Sequence, residues 1–274
     1  MIAGAQEVVG KRLFSDTLVI SEPFVEDELS LPSLLHIRRP SRALATEIGV
    51  EMKKRITADF ELSIAGGVTH LDAARGAVTG LDNLEVGLKY QFLRDVEREA
   101  VASLALRWEI GGTGRAAVGA DPFHIVTPAL LLGKGLGDLP ESLRYLRPLA
   151  VMTSLGARLP ATDAVPHTLE LGLIVEYSLP YLQSHVRHLG LPAPFDRLMP
   201  LAELSGATAL DRAASGRTTA TANIGAVWVG DAVQIGAEAV VPLNDRSGKT
   251  VGLRAFLRLP LEDLFGPRFG KPLF

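Results

Sequence analysis

The side chains that could do chemistry in this chain are charged groups at alternate positions within short segments. Glu85 and Lys89 share one such segment, and Arg107 and Glu109 share the next. Residues separated by two or four positions lie on one face of a β-strand. Where several strands enclose a lumen, charged faces form strips that select ions or polar solutes by the electric field and the pore width.

In both halves of the chain, charged residues occur at alternate positions, so that they share one face of each predicted strand. The acids are Glu47, Glu51, Glu61, Glu85, Glu109, Glu170, Glu176, Glu203 and Glu238, and the bases are Lys53, Arg55, Lys89, Arg107, Arg158, Arg254 and Arg258. Acids and bases are nearly balanced, which favours ion pairs across a narrow lumen. We therefore expect a constricted pore, and a closed structural barrel is the alternative.

Two motifs could bind phosphate or metal, and neither has the spacing that its chemistry needs. Residues 133–138 (GKGLGD) lack the G-x-x-x-x-G-K-[ST] pattern of a phosphate-binding loop, so a turn is the better interpretation. His185 and His188 lack a third ligand at a suitable spacing for zinc. The sequence predicts no cofactor and no metal site.

A hydrolase triad could be assembled on paper from His124, Ser154 and Asp121. Nothing in the sequence brings these residues together, and the G-x-S-x-G nucleophile elbow is absent. We expect a protein that is not an enzyme.

The elements that carry the charges have the period of β-strands. Residues 84–92 (LEVGLKYQF) place a large apolar side chain at every second position, with Glu, Gly, Lys and Gln between them. Strict alternation over such a length is typical of a strand with two different faces. Because the pattern recurs along most of the chain, the apolar face is predicted to contact lipid.

The composition agrees with membrane strands. The chain has 274 residues, 47% of them hydrophobic, with a mean hydropathy of +0.22. No apolar run approaches the ~20 residues of a membrane helix, whereas strands of ~9–11 residues suffice to span a bilayer. The net charge of −3 and the absence of a basic stripe argue against a nucleic-acid partner.

Strand-like segments follow one another from about residue 31, with turn residues between them, as at 244–248 (NDRSG). Including weaker segments near 31–38, 124–133 and 197–206, they amount to about twelve strands. We predict an all-β fold, an antiparallel up-and-down transmembrane β-barrel, as one domain over residues 31–274. Residues 1–30 are expected to be periplasmic, to plug the lumen or to lead into the first strand. Longer loops near 72–81, 112–123, 180–196 and 207–217 are expected on the extracellular side.

Both ends of the chain carry weak signals of export. Ala3, Gly4 and Ala5 before Gln6 resemble a signal-peptide cleavage site whose upstream part is missing. The final residue, Phe274, is of the type that the outer-membrane assembly machinery recognises at the end of a barrel. Both features favour the bacterial outer membrane.

Several segments together resemble a family of bacterial outer-membrane proteins associated with the MetA pathway of phenol degradation. The similarity lies in residues 80–92 (GLDNLEVGLKYQF), residues 170–180 (ELGLIVEYSLP) and the segment around Trp228. The resemblance implies a Gram-negative outer-membrane barrel that passes small or aromatic compounds. It implies no particular binding residues.

We therefore expect a passive channel for small solutes, hydrophobic or aromatic ones included, with membrane lipid as its surroundings. The side chains predicted to line the pore are Glu85, Lys89, Arg107, Glu109, Glu176, Glu238 and Arg254. One alternative is a non-conducting structural barrel. The other is a soluble barrel with its apolar face turned inward around an apolar ligand, because parity alone does not separate inside from outside.

Overall fold

A computed structural model describes residues 8–15, 17–74 and 76–274 of the chain. Two short strands, β1 Val8–Val9 and β2 Arg12–Leu13, form a small hairpin of their own. The other strands are β3 Glu28–Arg38, β4 Leu44–Thr57, β5 Phe60–Ala73, β6 Gly76–Leu81, β7 Leu84–Asp95, β8 Ala100–Ile110, β9 Ile125–Gly135, β10 Leu149–Pro160, β11 Thr168–Tyr177, β12 Leu198–Ala209, β13 Thr218–Val229, β14 Gln234–Pro242 and β15 Gly252–Pro260.

Strands β3–β15 form one antiparallel sheet that closes on itself. β3 completes the ring by pairing with β4 on one side and with β15 on the other. β6 and β7 both pair with β5 and run along it as one strand interrupted at Asp82 and Asn83. The structure is thus a closed barrel of 12 strands, which confirms the predicted fold class.

The two faces of the sheet differ as the alternation predicted. Along β7, Leu88, Tyr90 and Phe92 are exposed on the outside, whereas Lys89 and Gln91 are buried on the inside. A soluble barrel around an apolar ligand would need the opposite arrangement. The structure therefore excludes that alternative, since it presents a broad apolar surface outward.

The hairpin turns follow local side-chain chemistry. Asn244 accepts hydrogen bonds at its Oδ1 from the backbone N–H groups of Arg246 and Ser247, each at 3.1 Å. Gly248 follows with φ of +127°, a conformation that glycine adopts without a steric cost. The turn predicted at residues 244–248 is confirmed.

The barrel has two unlike ends. The terminal end, where β3 begins and β15 finishes, carries the connections 58–59, 96–99, 136–148, 178–197 and 230–233. The far end carries the turn between β5 and β6 and the connections 39–43, 111–124, 161–167, 210–217 and 243–251.

The prediction that four long loops share one side was wrong. Residues 72–81 belong mostly to β5 and β6, and residues 180–196 lie at the terminal end, opposite 112–123 and 207–217. Loop length and polarity cannot distinguish the ends, because the end is decided by how many strands precede the loop.

Helical structure is confined to short pieces. They are the 3₁₀ turns Ala116–Val118, Glu141–Leu146, Phe195–Arg197 and Arg212–Ala214, the π-helical turn Leu182–Val186, and the α-helical turns α1 Leu179–Tyr181 and α2 Leu261–Phe265. None of the helices in the described part of the chain has the length and apolar character of a membrane span.

The two export signals lie at opposite ends of the sequence. The candidate cleavage site at residues 3–6 lies outside the described residues. Phe274 is fully exposed beyond β15, and its backbone N–H donates to the carbonyl of Ile56 at 3.0 Å.

A charge on the outer face tests whether that face meets lipid. Ile224, at the middle of β13, is 63% exposed. Ile224→Arg should destabilise the folded barrel in lipid vesicles by ~2–4 kcal/mol, the cost of a cation at the bilayer midplane. Urea unfolding in vesicles measures this change. Thr250→Arg, in an exposed connection, is the matched control, and equal effects of the two variants would contradict a lipid-facing wall.

Candidate functional site

The lumen contains part of the protein's own chain. Residues 8–15 and 17–27, called here the luminal segment, enter at the terminal end, reach toward mid-barrel at residues 19–21, and return to β3. Most of its described side chains are buried, and Val9, Phe14 and Phe24 are almost wholly inaccessible. The segment therefore fills the terminal half of the barrel.

Apolar side chains hold the luminal segment against one part of the wall. Val9, Phe14, Ile20 and Phe24 pack with wall residues from β8, β10 and β11. The contacted wall residues are Val101, Ala150, Met152 and Ile174. A second cluster joins Leu13 and Leu18 to Met199, Leu201, Val227, Val229 and Phe256. The inward face at this end is thus a small hydrophobic core.

A buried ionic cluster holds the returning half of the segment. Lys53 on β4 donates to Glu22 and, at 2.7 Å, to Glu26. Arg258 on β15 pairs with Glu22 at 3.1 Å and donates to the carbonyl of Thr17 at 2.6 Å. Lys89 on β7 donates to the carbonyl of Phe24 at 2.6 Å. Wall cations thereby bind both the acids and the backbone of the segment.

The two ends of the luminal segment are fixed at the terminal end of the barrel. Arg12 pairs with Glu99 at 2.9 Å and donates to the carbonyl of Pro148 at 2.9 Å. Asp27 pairs with Lys54 at 2.7 Å and with Arg55 at 2.8 Å. Lys54 and Arg55 also donate to backbone carbonyls of residues 269–271, so this end of the segment is tied to β4 and to the C-terminal residues.

The ionic cluster affects its two segment acids in opposite ways. Burial alone would raise the pKa of Glu22, but Lys53, Arg258 and Lys89 together hold that pKa well below its ordinary value. Burial raises the pKa of Glu26 to about 7, because Lys53 offsets only part of that cost and Glu28 and Glu22 repel its charge. Glu26 therefore favours the seated segment most when it is protonated, and that contribution is lost as the pH rises through about 7.

The side chains predicted to line the pore divide into two groups. Glu85, Arg107 and Glu109 lie in the far half of the lumen and are partly exposed. Lys89 and Glu176 lie in the terminal half and contact the luminal segment. Arg254, near the far end of β15, donates to the segment at Leu18, and Glu238 faces Arg254 across the β14–β15 ladder. All are on the luminal face, and their part in solute passage stays a prediction.

The expected ion pairs across the lumen form only in part. Arg107 on β8 lies 3.3 Å from Glu170 on β11, whereas Lys89 and Glu61, also 3.3 Å apart, are direct neighbours on the paired strands β7 and β5. Most deeply buried charges bind the luminal segment instead, as Glu176 does with Ser15. The numbers of acids and bases on the wall could not predict this arrangement, because acids and backbone carbonyls of the luminal segment also bind the wall cations.

The luminal segment divides the remaining space into two compartments. Residues 19–21 and strands β8–β13 bound a compartment of about 470 Å³ that reaches the far end near Ser247. Its polar lining is mainly hydroxyl groups, from Ser21, Thr127, Ser154, Ser205, Thr219, Thr221 and Ser247. A compartment of about 280 Å³ on the other side of the segment is lined by charges, among them Glu51, Lys53, Glu61, Glu85, Lys89, Arg254 and Arg258. Arg107 lines both compartments.

The wall of the hydroxyl-lined compartment is thin at one place. Ala105, Ala129 and Gly156 face that compartment and also line an apolar hollow of about 630 Å³ on the outer surface. Beside them the β9–β10 ladder stops at Gly156–Ala129 and resumes at Leu159–Val126. Pro128 lies in this gap and has no N–H to donate. Little more than backbone separates the lumen from the outer face here.

Sequence analysis missed the apolar inward residues. Ile174 occupies the same face as Glu170 and Glu176, and Met152 occupies the same face as Arg158. An apolar residue at a position where its neighbours on the same face are polar was the sequence feature that could have revealed them. An inward apolar residue in a membrane barrel needs an apolar partner inside, and the luminal segment supplies it.

No protein-family model matches the sequence, and no curated protein matches it. Solved structures do match. The KdgM porin superposes with a TM-score of 0.52 at 11% identity, over 85% of this chain and 98% of its own. An outer membrane channel from Pseudomonas putida F1 gives 0.59 at 10% identity, over 90% and 99%. The NanC porin gives 0.54 at 8% identity, over 84% and 98%.

The chain has the porin-type barrel fold. The superposition covers nearly the whole of each matched chain, so the barrel as a unit is shared. At these identities the likeness shows the fold alone, and the link to phenol degradation is not part of it.

The ionic cluster predicts a large effect of removing its central base. Lys53→Met leaves Glu22 and Glu26 buried without that cation, and removing one partner of a buried pair costs about 3–5 kcal/mol. Urea unfolding followed by tryptophan fluorescence measures the loss. Lys249→Met is the control, because Lys249 pairs with Asp245 at 3.5 Å in an exposed connection and should change stability by less than about 1 kcal/mol. Similar losses for both variants would show that the cluster does not hold the segment.

Proposed function

We propose that the protein is an outer-membrane channel for the passive passage of small solutes. The observation that carries the proposal is an apolar outer surface around a polar lumen that is open from the far end to residues 19–21. An apolar band suits lipid, and a polar interior suits a pathway for solutes. The role is non-enzymatic: the barrel supplies a route and a filter, with no bond made or broken.

In this function the luminal segment is a plug. The hydroxyl-lined compartment ends at residues 19–21, and the charged compartment continues beside residues 17–22 as far as Lys53 and Arg258 of the ionic cluster. Beyond these residues the ionic and apolar anchors fill the space up to the terminal end. Solute passage along the barrel axis therefore requires the segment to shift or leave. With both termini on the periplasmic side, as in outer-membrane barrels, the far end faces the outside of the cell.

The solutes proposed are small apolar or aromatic molecules, as the resemblance to the phenol-pathway family implies. The thin wall at Ala105, Ala129 and Gly156 supports this class, because an apolar outer hollow lies directly across it from the lumen. An apolar solute could leave the hydroxyl-lined compartment sideways into lipid. Such a route would bypass the plug.

The partners proposed are membrane lipid and the outer-membrane assembly machinery. Lipid would contact the exposed apolar wall. The assembly machinery would bind Phe274, whose side chain is fully exposed.

A non-conducting structural barrel is the second candidate, because the luminal segment fills the terminal half of the lumen. The two functions differ in one measurable quantity. A channel gives single-channel conductance in planar bilayers after correct insertion, whereas a structural barrel gives none.

Reversing a charge in the far half of the lumen tests the channel. Glu85 lines the charged compartment, so Glu85→Lys should reduce cation selectivity and move the reversal potential in a salt gradient toward the anion value. Glu97→Lys, in an exposed turn at the terminal end, should leave the reversal potential unchanged. If both variants conduct with the selectivity of the original chain, Glu85 does not line the pathway.

Thickening the wall tests the sideways route. The space beside Gly156 accepts a Cβ at ordinary contact distances of 3.5–3.6 Å from Thr127 and Ala129. Gly156→Leu should therefore fold, block the thin region and reduce uptake of a radiolabelled small aromatic compound by intact cells. Conductance to small ions past the plug should change less. Aromatic uptake equal to that of the unaltered chain would rule out a route at this place.

A further inference from the structure

Three carboxylates of the barrel wall are buried in the lumen without an equal number of bases, and two of them, Glu176 and Glu203, accept hydrogen bonds from the luminal segment. Glu176, Glu203 and Glu238 lie on β11, β12 and β14, and the exposed fractions of these residues are 1%, 0% and 2%. An ionised carboxylate is costly to bury unless it is paired and hydrogen-bonded. The partners of each therefore decide its charge.

Glu176 and Glu203 are bound mainly by neutral groups of the segment. Glu176 Oε2 accepts from the Ser15 backbone N–H at 3.0 Å and from the Ser15 hydroxyl, with Arg12 as the nearest base. Glu203 Oε1 accepts from the Leu18 N–H at 2.8 Å. Within the described residues, the second oxygen of each carboxylate has no hydrogen-bond partner.

Glu238 has the weakest surroundings of the three. Neither of its oxygens accepts a hydrogen bond from any residue that the structure describes. It faces Arg254 across the β14–β15 ladder and is repelled by Glu203. Asn223, paired with Glu203 across β12–β13, is also buried, and the described chain offers its amide no hydrogen bond.

Arg254 is the base shared by two of these acids. It faces Glu203, Glu238 and Glu47, and its guanidinium donates to the carbonyl of Leu18 at 2.9 Å. Glu22 also faces Glu203 from the segment and adds repulsion. One cation thus serves Glu203 and Glu238, and that cation and Glu203 both bind the seated segment at Leu18.

We propose that seating of the luminal segment is coupled to proton uptake by the wall carboxylates Glu176, Glu203 and Glu238, so that the plug closes at low pH and loosens at high pH. With the segment seated, the carboxylates are dry and the neutral acid is favoured. When the segment leaves, water hydrates them and they release protons. The mass balance is simple: each proton bound on closing returns to solvent on opening.

The ionic cluster on the segment's other side acts in the same direction. It contains the acids Glu22, Glu26, Glu28 and Glu61 against the bases Lys53, Lys89 and Arg258. Since acids exceed bases, a proton on one acid balances the charge. The raised pKa of Glu26 indicates that Glu26 binds that proton. Loss of the proton as the pH rises through about 7 weakens the seating of the segment. The pKa of Glu22 is lowered, so Glu22 stays charged throughout this range.

Thiol labelling tests the coupling in the full chain, which has no native cysteine. Val25→Cys places a thiol at a position that is 4% exposed under the seated segment, and Thr250→Cys places one in an exposed connection. The ratio of their maleimide labelling rates cancels the pH dependence of the thiol chemistry. One proton bound on closing would change the opening constant by up to about tenfold per pH unit, so the ratio should rise about tenfold or more between about pH 5.5 and about pH 8.5.

Replacing the three carboxylates tests whether these groups cause the pH dependence of the labelling ratio. Glu176→Gln, Glu203→Gln and Glu238→Gln combined mimic the protonated acids, so the ratio should stay low and vary much less with pH. Glu170→Gln, on the luminal face of β11 in the far half, should keep the full pH response.

The heat-dependent shift on gels shows that each variant is folded. A labelling ratio that does not change with pH when the three carboxylates are intact would overturn the proposal, as would a full response in the triple variant. A chain that shows the response but conducts no ions would refute the channel and leave the coupling standing.

Discussion

The ion pairs between Lys53 and the segment acids Glu22 and Glu26 hold the luminal segment inside the barrel, and the segment decides which part of the lumen is filled and which is open. A barrel of 12 strands is wide enough to leave space inside, and a charged inner wall without partners would fill with water. Here the wall charges bind residues 8–15 and 17–27 of the same chain, and apolar side chains of the segment complete the contact. The terminal half is consequently a packed core, and the far half remains an open polar compartment.

This division gives the two halves different chemistry. The far half is lined by hydroxyl groups and by partly exposed charges such as Arg107 and Glu170, which water can reach. In the terminal half, burial makes each charge depend on its partner, so that Lys53 is satisfied while Glu238 is not. A buried network with surplus carboxylates favours bound protons. Closure of the lumen and protonation are thereby linked through the same contacts.

The sequence was most reliable where a single local rule applied. Alternation along residues 84–92 predicted the strand and which of its side chains share a face, and Asn244 and Gly248 predicted a turn. It was wrong about residues 72–81, which continue β5 and β6, and about residues 180–196, which lie at the terminal end. The two errors have different causes: residues 72–81 were taken for a loop although they form strands, and the side of residues 180–196 depends on the count of strands before them. The inward-facing apolar residues Met152 and Ile174 indicated that an apolar group lies inside the lumen, but they did not indicate which part of the chain supplies it.

The sequence by itself determined that this chain forms strands with one apolar and one polar face, because side chains alternate along a strand whatever it packs against. It also determined which charges share the polar face. Only the tertiary structure decided that the apolar face points outward and that the luminal segment fills the terminal half. It alone paired Lys53 with Glu22 and Arg12 with Glu99, residues 31 and 87 positions apart. Closing the barrel brings such residues together, and no local pattern specifies which distant side chains then meet.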